Sequence, residues 1–372
     1  MQADTYNSKK ETAEKQYNRL KHRVTLIDIA VSLVLLGFIA FSGISQFISD
    51  WTAAFSANSY IRFLLFLMFA GILFSLFTLP LDFYSGYILE HRYNLSHQTL
   101  LKWIMEKFKA ALVNLIIGAP LALAFYFFLV ISGPMWWLYF SAALVFFSVI
   151  LSSLAPVFIF PVFYKFKPLD DDNLRIRIEQ MLKQNNIPVS GIFSFNLSKN
   201  TRKANAAFAG IGKSRRIILS DTLLERFNLL EICVIFAHEM GHYRRHHILK
   251  NILLSTLIYL LGFYVCGTLY ESTISAIGYH SIHDIAAIPI LFLYLTIFGL
   301  IIMPVINYIS RRFEVEADAF ALEITGDRES FITCMHKLAS LNLAEIDPHP
   351  LVEFFFYSHP SISRRINFAR EY

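Results

Sequence analysis

Long apolar runs alternate with polar segments along the 372-residue chain, and six of these runs stand out. Each run is near or above the roughly 20 residues that an α-helix needs to cross the hydrocarbon core of a bilayer. The pattern therefore predicts six transmembrane helices. The apolar runs cover residues 25–48, 62–85, 110–131, 137–163, 249–269 and 287–309.

A polar segment, about 165–230, separates the fourth run from the fifth and has the pattern of a small α+β domain. Charged and apolar residues alternate at helical spacing over 173–184, and Asp221 is placed to cap a further helix. Short strands are predicted at 191–197, 205–209 and 216–219. The pattern becomes helical again at Leu229, and a helix continuous from there to Leu269 would be about 60 Å long.

These elements predict a predominantly α-helical, multi-pass membrane protein with a small α+β domain. Composition agrees, because 55% of the residues are hydrophobic and only 16% are charged, less than soluble chains of this length carry. The predicted parts are an N-terminal tail (1–24), a membrane region with four spans (25–164), the α+β domain (165–248), the fifth and sixth spans (249–310) and a C-terminal part (311–372).

Lysine and arginine residues fall almost entirely on one side of the predicted spans. Residues 1–24 and 86–109 are rich in them, whereas 132–135 and 270–286 have none, and Arg62 is the one exception. The positive-inside rule places the basic side in the cytoplasm, together with both termini and the α+β domain. Since this topology accounts for the net charge of +5, no nucleic-acid partner is predicted.

A nucleotide partner is also excluded. Residues 208–214 end like a phosphate-binding loop, but alanine stands at position 207, where that motif requires glycine.

Four histidines lie within the ten residues HEMGHYRRHH, at 238–247. Two pairs have the spacing that places both imidazoles on one helix face, His238/His242 and His242/His246. Only the first pair has a glutamate after its first histidine, Glu239, which completes H-E-x-x-H. In that motif two imidazoles bind zinc and the glutamate acts as the base. The remaining basic residues fit the end of a helix that meets water.

A catalytic zinc site needs a third protein ligand and an open position for water. The sixth apolar run leads into three acidic candidates, Glu314, Glu316 and Asp318, on the same side of the membrane as HEMGH. On a helix Glu314 and Asp318 share a face, and Glu316 is turned away from Glu314 by about 200°. Glu314 can then bind the metal while Asp318 accepts a hydrogen bond from a ligating histidine. Substitution of Glu316 is expected to have little effect.

Four motifs together are more specific than the pentapeptide alone. They are H-E-M-G-H at 238–242, S-R-R-F-E-V-E-A-D-A-F at 310–320, N-A-A-F-A-G at 205–210 and Y-S-H-P at 357–360. In this combination the chain resembles the integral-membrane zinc metalloproteases of the type 1 CAAX prenyl endopeptidase family. The resemblance implies a ring of membrane helices around a water-filled chamber, capped by the protease domain. Six spans, where eukaryotic members have seven, indicate a compact prokaryotic version.

The resemblance also implies a metal site with one Zn²⁺ per chain. Its ligands would be His238, His242 and Glu314, with Glu239 as the base that activates water. Asp318 would orient one of the ligating imidazoles.

Further roles follow from the same resemblance. Asn205 corresponds to an asparagine on the strand that lines the substrate groove. With Ala206 and Ala207, this strand is expected to hold an extended peptide by main-chain hydrogen bonds. His359 and Arg365 correspond to a histidine and an arginine that face the metal, and they are expected to donate hydrogen bonds to the oxyanion.

Three functions are considered for this site. The first is a CAAX-type endopeptidase that cleaves near the C-terminus of peptides, with or without a prenyl group. The second is a membrane quality-control metalloprotease, and the third is a non-catalytic membrane receptor. The presence of Glu239 argues against the receptor, and H-P-x-x-x-x-R at 359–365 favours the first function over the second. Expected partners are a peptide or protein substrate and the lipid bilayer. The expected location is the bacterial inner membrane, with the endoplasmic reticulum membrane as the alternative.

Overall fold

The computed structural model describes residues 2–210 and 215–372, with side chains from Ala13 onward. Within these residues, six helices are long and apolar enough to cross a membrane, as the six apolar runs predict. They are Ala13–Phe41, Ser59–Arg92, Leu100–Ile131, Gly133–Phe163, His247–Ala276 and Ile288–Thr325. Residues 211–214, at the end of the segment in which a nucleotide-binding loop was excluded, lie outside the described part.

The membrane region before the α+β domain contains seven helical segments. They are α1 (Gln2–Phe41), α2 (Ile44–Ala53), α3 (Ser59–Phe83), α4 (Leu89–Arg92), α5 (Leu100–Ile131), α6 (Trp136–Leu154) and α7 (Phe160–Phe163). Single π-helical turns at 84–88 and 155–159 join α3 to α4 and α6 to α7.

The first apolar run, 25–48, does not form one helix. α1 ends at Phe41, and Gly43 adopts a left-handed conformation with φ of 85° before α2 begins. Glycine takes this conformation without steric cost, so the chain can turn here although the residues on both sides are apolar. The first span therefore ends earlier than the apolar pattern predicts.

A four-stranded sheet and three helices form the segment between the fourth and fifth spans. They are β1 (Phe166–Pro168), α8 (Asp172–Gln184), β2 (Ile192–Phe195), β3 (Ala206–Ala209), β4 (Arg216–Ser220), α9 (Asp221–Arg226) and α10 (Leu229–Arg244). The strand order is β1-β2-β4-β3, and only the β2–β4 pairing is parallel. The predicted helix and three strands are present. The three-residue strand β1 was not predicted.

The residue that caps α9 differs from the prediction. Ser220 accepts a hydrogen bond from the Leu223 N–H at 3.2 Å, so Ser220 and not Asp221 is the cap. The Asp221 carboxylate instead accepts hydrogen bonds from the main chain and the hydroxyl of Ser198, at 2.8 and 2.5 Å. Asp221 thereby joins α9 to the turn that precedes β3.

The helix that carries HEMGH does not continue into the fifth span, so the length of about 60 Å that a continuous helix would have does not apply. α10 ends at Arg244, and His246 takes a left-handed conformation with φ of 56°. The fifth span, α11 (His247–Ala276), starts directly afterwards. Because of this break, α10 is a separate helix of the α+β domain.

The sixth span, α12 (Ile288–Thr325), has 38 residues, more than the roughly 20 that a bilayer requires, and it packs against α10. Gly241 permits a close approach, since a Cβ atom at this position would lie 2.9 Å from the Cα of Ala317. Three helices follow, α13 (Arg328–Asn342), α14 (Pro350–Phe356) and α15 (Ile362–Glu371). α10, α12, α13, α15 and the sheet share one buried apolar core, so the site on α10 rests on rigid elements.

Candidate metal centre

The helix that presents the H-E-x-x-H motif has a well-defined start. The Asn228 side chain accepts a hydrogen bond from the Glu231 N–H, and the Glu231 carboxylate accepts one from the Asn228 N–H, both at 2.9 Å. This reciprocal capping box satisfies two N–H groups that a helix start otherwise leaves unpaired. Lys337 of α13 also contacts Glu231, at 2.7 Å. The position of α10 is thus fixed at its beginning.

His238, His242 and Glu314 come together as the sequence predicts. The Nε2 atoms of the two histidines are 3.2 Å apart, and each lies 3.3 Å from a carboxylate oxygen of Glu314. A tetrahedral zinc ion about 2.0–2.1 Å from each ligand atom would place these atoms about 3.3 Å apart. The three side chains therefore fit a metal ion without rearrangement. His246, the alternative partner of His242, is exposed and lies outside this group.

Asp318 lies behind His238, as its helical phase predicts. Its Oδ1 is 2.8 Å from Nδ1 of His238, which leaves Nε2 directed at the metal position. Burial lowers the pKa of His238, but hydrogen bonds with Asp318 and Glu314 outweigh that effect and raise the pKa to about 9. The metal-free site therefore holds a proton that a metal must displace.

Arg365 lies beside the site and binds Asp318. Its Nε and Nη2 atoms donate to the two carboxylate oxygens of Asp318, at 2.8 and 2.6 Å. The expectation was an arginine that donates to the oxyanion of the substrate. Two of its donors bind Asp318, and Asp318 in turn contacts His238, while the oxyanion role stays a prediction.

His359 faces the metal position from the loop between α14 and α15. Its Nδ1 is 2.8 Å from Oε2 of Glu314, and its side chain is 61% exposed. The exposed ring can be reached by a substrate in the cleft while it remains beside the buried Glu314, which suits a hydrogen-bond donor to a reacting carbonyl.

A cleft of about 220 Å³ opens beside the three candidate ligands and is lined by Glu239, His359, Arg365, Asn205 and Ala206, among others. Burial raises the pKa of Glu239 above its ordinary value. A carboxylate with a raised pKa is a better base near neutral pH.

Strand β3 is an edge strand of the sheet and borders this cleft. The main chain of Asn205, just before it, pairs with Ser220, and Ala206 and Ala207 pair with β4. Phe208 stacks on Phe236 of α10 at 5.5 Å and links the strand to the metal-site helix. The other edge of β3 has no partner strand among the described residues, so an extended peptide can pair with it.

Two residues of the site were missed by the sequence interpretation. His247 lies 2.9 Å from His242, and Glu316 lies 3.1 Å from His247. The sequence showed no reason to place them here, because the break at His246 has no glycine or proline and the helical phase turns Glu316 away from Glu314. Glu316 thus has a contact that the expectation of little effect did not include.

A helical membrane region joined to an α+β domain, with H-E-x-x-H on one helix and a glutamate from the last span, defines an integral-membrane metalloprotease. Residues 168–372 match the profile of Peptidase family M48, and residues 2–165 match the profile described as CAAX prenyl protease N-terminal, five membrane helices. The first match covers more than half of the chain, and the chain belongs to peptidase family M48. Among the described residues, the region of the second match has four candidate spans.

Named relatives agree with this family. The chain is 33% identical to "Uncharacterized metalloprotease YhfN" of Bacillus subtilis, over 96% of this chain and 84% of that protein. It is 31% identical to CAAX prenyl protease 1 of Saccharomyces cerevisiae, over 81% of this chain and 71% of the yeast protein. The crystal structure of S. mikatae Ste24p superposes with a TM-score of 0.85 at 27% identity, covering 97% of this chain and 88% of that chain. The protein is a multi-pass membrane metallopeptidase of CAAX protease type, with a metal cofactor and peptide substrates.

Proposed function

We propose that this protein is a zinc endopeptidase that cleaves near the C-terminus of prenylated CAAX peptides. The observation that carries the proposal is the triad His238, His242 and Glu314, whose ligand atoms are spaced for one tetrahedral ion beside an edge strand. Two imidazoles and one carboxylate form a ligand set typical of catalytic zinc in peptidases. Bound zinc would supply a positive charge that lowers the pKa of a water molecule and polarises the scissile carbonyl.

Glu239 is the proposed base. It follows the first ligand directly, lines the cleft and has a raised pKa. Its carboxylate takes a proton from the attacking water and delivers it to the leaving amine, so one residue serves both halves of the reaction.

The substrate is proposed to lie along β3. The main chain of residues 205–207 can pair with an extended peptide and place one of its carbonyl groups above the metal position. Main-chain pairing gives affinity with little dependence on side chains. Selectivity among substrates would then come from the part of the substrate that is not paired with β3.

His359 and Arg365 are proposed to have different tasks. His359 donates a hydrogen bond to the oxygen of the reacting carbonyl, where negative charge develops. Arg365 holds Asp318, and Asp318 in turn holds His238 in the tautomer that binds metal. Arg365 is therefore proposed as a positioning residue.

The proposed side of the membrane is the cytoplasmic one. The concentration of lysine and arginine in 1–24 and 86–109 supports this orientation. With it, the protease domain at about 165–248 and the C-terminal part from 311 also lie on the cytoplasmic side. The similarity to a Bacillus subtilis protein supports a bacterial membrane as the location.

The substrate class is tested by incubating the purified protein with matched farnesylated and unprenylated CAAX peptides and identifying the products by mass spectrometry. The expected result is release of a short C-terminal fragment from the farnesylated peptide, which stops when a chelator is added and returns with zinc. The Glu239→Gln variant is the matched control. Equal cleavage of both peptides would remove the prenyl requirement. Failure to cleave either, together with cleavage of unfolded membrane proteins at dispersed sites, would favour a quality-control protease.

A further inference from the structure

We infer that His247 and Glu316 form a positioning pair that holds His242 in the tautomer and orientation that metal binding requires. The inference rests on the proposed function, because it assumes a metal ion at the triad. It gives a role to two residues that neither the motif nor the helical phase connects with the site.

The contacts place His247 directly behind the proposed ligand. Its Nδ1 is 2.9 Å from Nδ1 of His242, and its Nε2 is 3.1 Å from Oε2 of Glu316. His247 is only 2% exposed, and its ring stacks on Phe313 with centroids 4.4 Å apart and an interplanar angle of 12°. Packing therefore leaves the ring little freedom to turn away.

The direction of these hydrogen bonds follows from the chemistry of the groups. An ionised carboxylate such as Glu316 only accepts, so Nε2 of His247 must carry the hydrogen. A neutral His247 then has its lone pair on Nδ1 and accepts the Nδ1–H of His242. This leaves the Nε2 lone pair of His242 free to bind the metal. The chain of contacts selects the one neutral tautomer of His242 that can act as a ligand at that position.

α12 thus orients both histidine ligands, by two different routes. Asp318 accepts directly from His238, whereas the imidazole of His247 stands between His242 and Glu316. The intermediate ring is needed because Glu316 points away from the face of α12 that carries Glu314. The left-handed turn at His246, between α10 and α11, places the ring of His247 between His242 and Glu316.

Lys250 also contacts Glu316, with its Nζ 3.1 Å from Oε2. Both side chains are about two-fifths exposed, at 42% and 41%. An ion pair of that exposure contributes little by itself. Removing Lys250 should therefore change metal binding much less than removing His247.

The test measures the affinity of the full-length purified protein for zinc by competition with a chromophoric chelator. His247→Ala should weaken zinc binding by about 10–100-fold, as expected for the loss of a group that orients a ligand. Glu316→Ala should weaken it by no more than that. The combined variant should be no weaker than His247→Ala, because Glu316 acts only through His247.

A conservative replacement separates positioning from a general structural effect. In His247→Asn the side-chain Oδ1 takes the place of Nδ1 and can still accept from Nδ1 of His242, so most of the zinc affinity should return. The matched controls are His246→Ala and Glu323→Ala, which remove an exposed neighbouring histidine and an exposed glutamate of α12. Both controls should bind zinc like the wild type.

Three results would overturn the inference. They are zinc affinity in His247→Ala equal to that of His246→Ala, additive losses in the combined variant, or no recovery in His247→Asn although this variant is folded by circular dichroism. A failure of the proposed function looks different. In that case the wild type itself binds no zinc, or His242→Ala binds it unchanged.

Discussion

Arg365→Ala is the substitution that best separates two accounts of the C-terminal segment. The Asp318 carboxylate is 1% exposed, and it accepts hydrogen bonds from Nε and Nη2 of Arg365. Removing the arginine leaves a buried carboxylate with only His238 as a charged partner. Breaking a buried ion pair on one side costs about 3–5 kcal/mol of stability. Arg365→Ala should therefore lose much of its stability, and its zinc affinity should fall about 10–100-fold through the effect on His238.

Arg370→Ala is the matched control, because this arginine lies on the same helix, α15, and is exposed. Thermal unfolding followed by tryptophan fluorescence, and zinc content after dialysis against a weak chelator, are measured for both variants. Arg370→Ala should resemble the wild type. The reasoning is refuted if Arg365→Ala keeps wild-type stability and zinc content but loses about 10²–10³ in kcat, the behaviour of a direct oxyanion donor.

Four further predictions concern the same site. Since the pKa of metal-free His238 is raised from 6.5 to about 9, zinc affinity measured by chelator competition should rise about tenfold per pH unit between pH 7 and 8, and an affinity independent of pH would contradict the assignment. The same shift predicts that the stability of the metal-free protein falls as pH rises from 6.5 toward 9, measured by thermal unfolding. His359→Ala should lower kcat by about 10²–10³ with zinc content unchanged, and loss of zinc in this variant would instead make His359 part of the metal site. Gly241→Ala should destabilise the protein by about 1–3 kcal/mol and weaken zinc binding, because its Cβ would lie 2.9 Å from Ala317; wild-type stability would show that α10 and α12 can separate freely.

The parts of the molecule that local pattern determines were predictable from sequence. Apolar length alone indicates six spans, because the bilayer imposes a minimum length on each helix. The candidate ligands on α10 and α12 were also predictable, since helical spacing decides which side chains of one helix share a face. His238 and His242 follow that rule on one helix, and Glu314 and Asp318 follow it on the other.

Features that depend on contacts between elements were not predictable in this way. The left-handed turn at His246 has no glycine or proline to mark it, so the sequence pattern favoured one continuous helix. His247 and Glu316 meet only because of that turn. The contact between Arg365 and Asp318 was not predictable for the same reason. The number of residues between them does not show that α15 packs against α12.

The central claim is tested most directly by Glu239→Gln, measured for zinc content and for cleavage of a farnesylated CAAX peptide in the same preparation. Glutamine has nearly the same size but cannot take a proton from water. The account predicts about one zinc per chain, wild-type folding and a loss of turnover of at least ~10²-fold. A variant that binds zinc and still cleaves the peptide at an appreciable rate would contradict the claim that Glu239 is the base of a zinc endopeptidase.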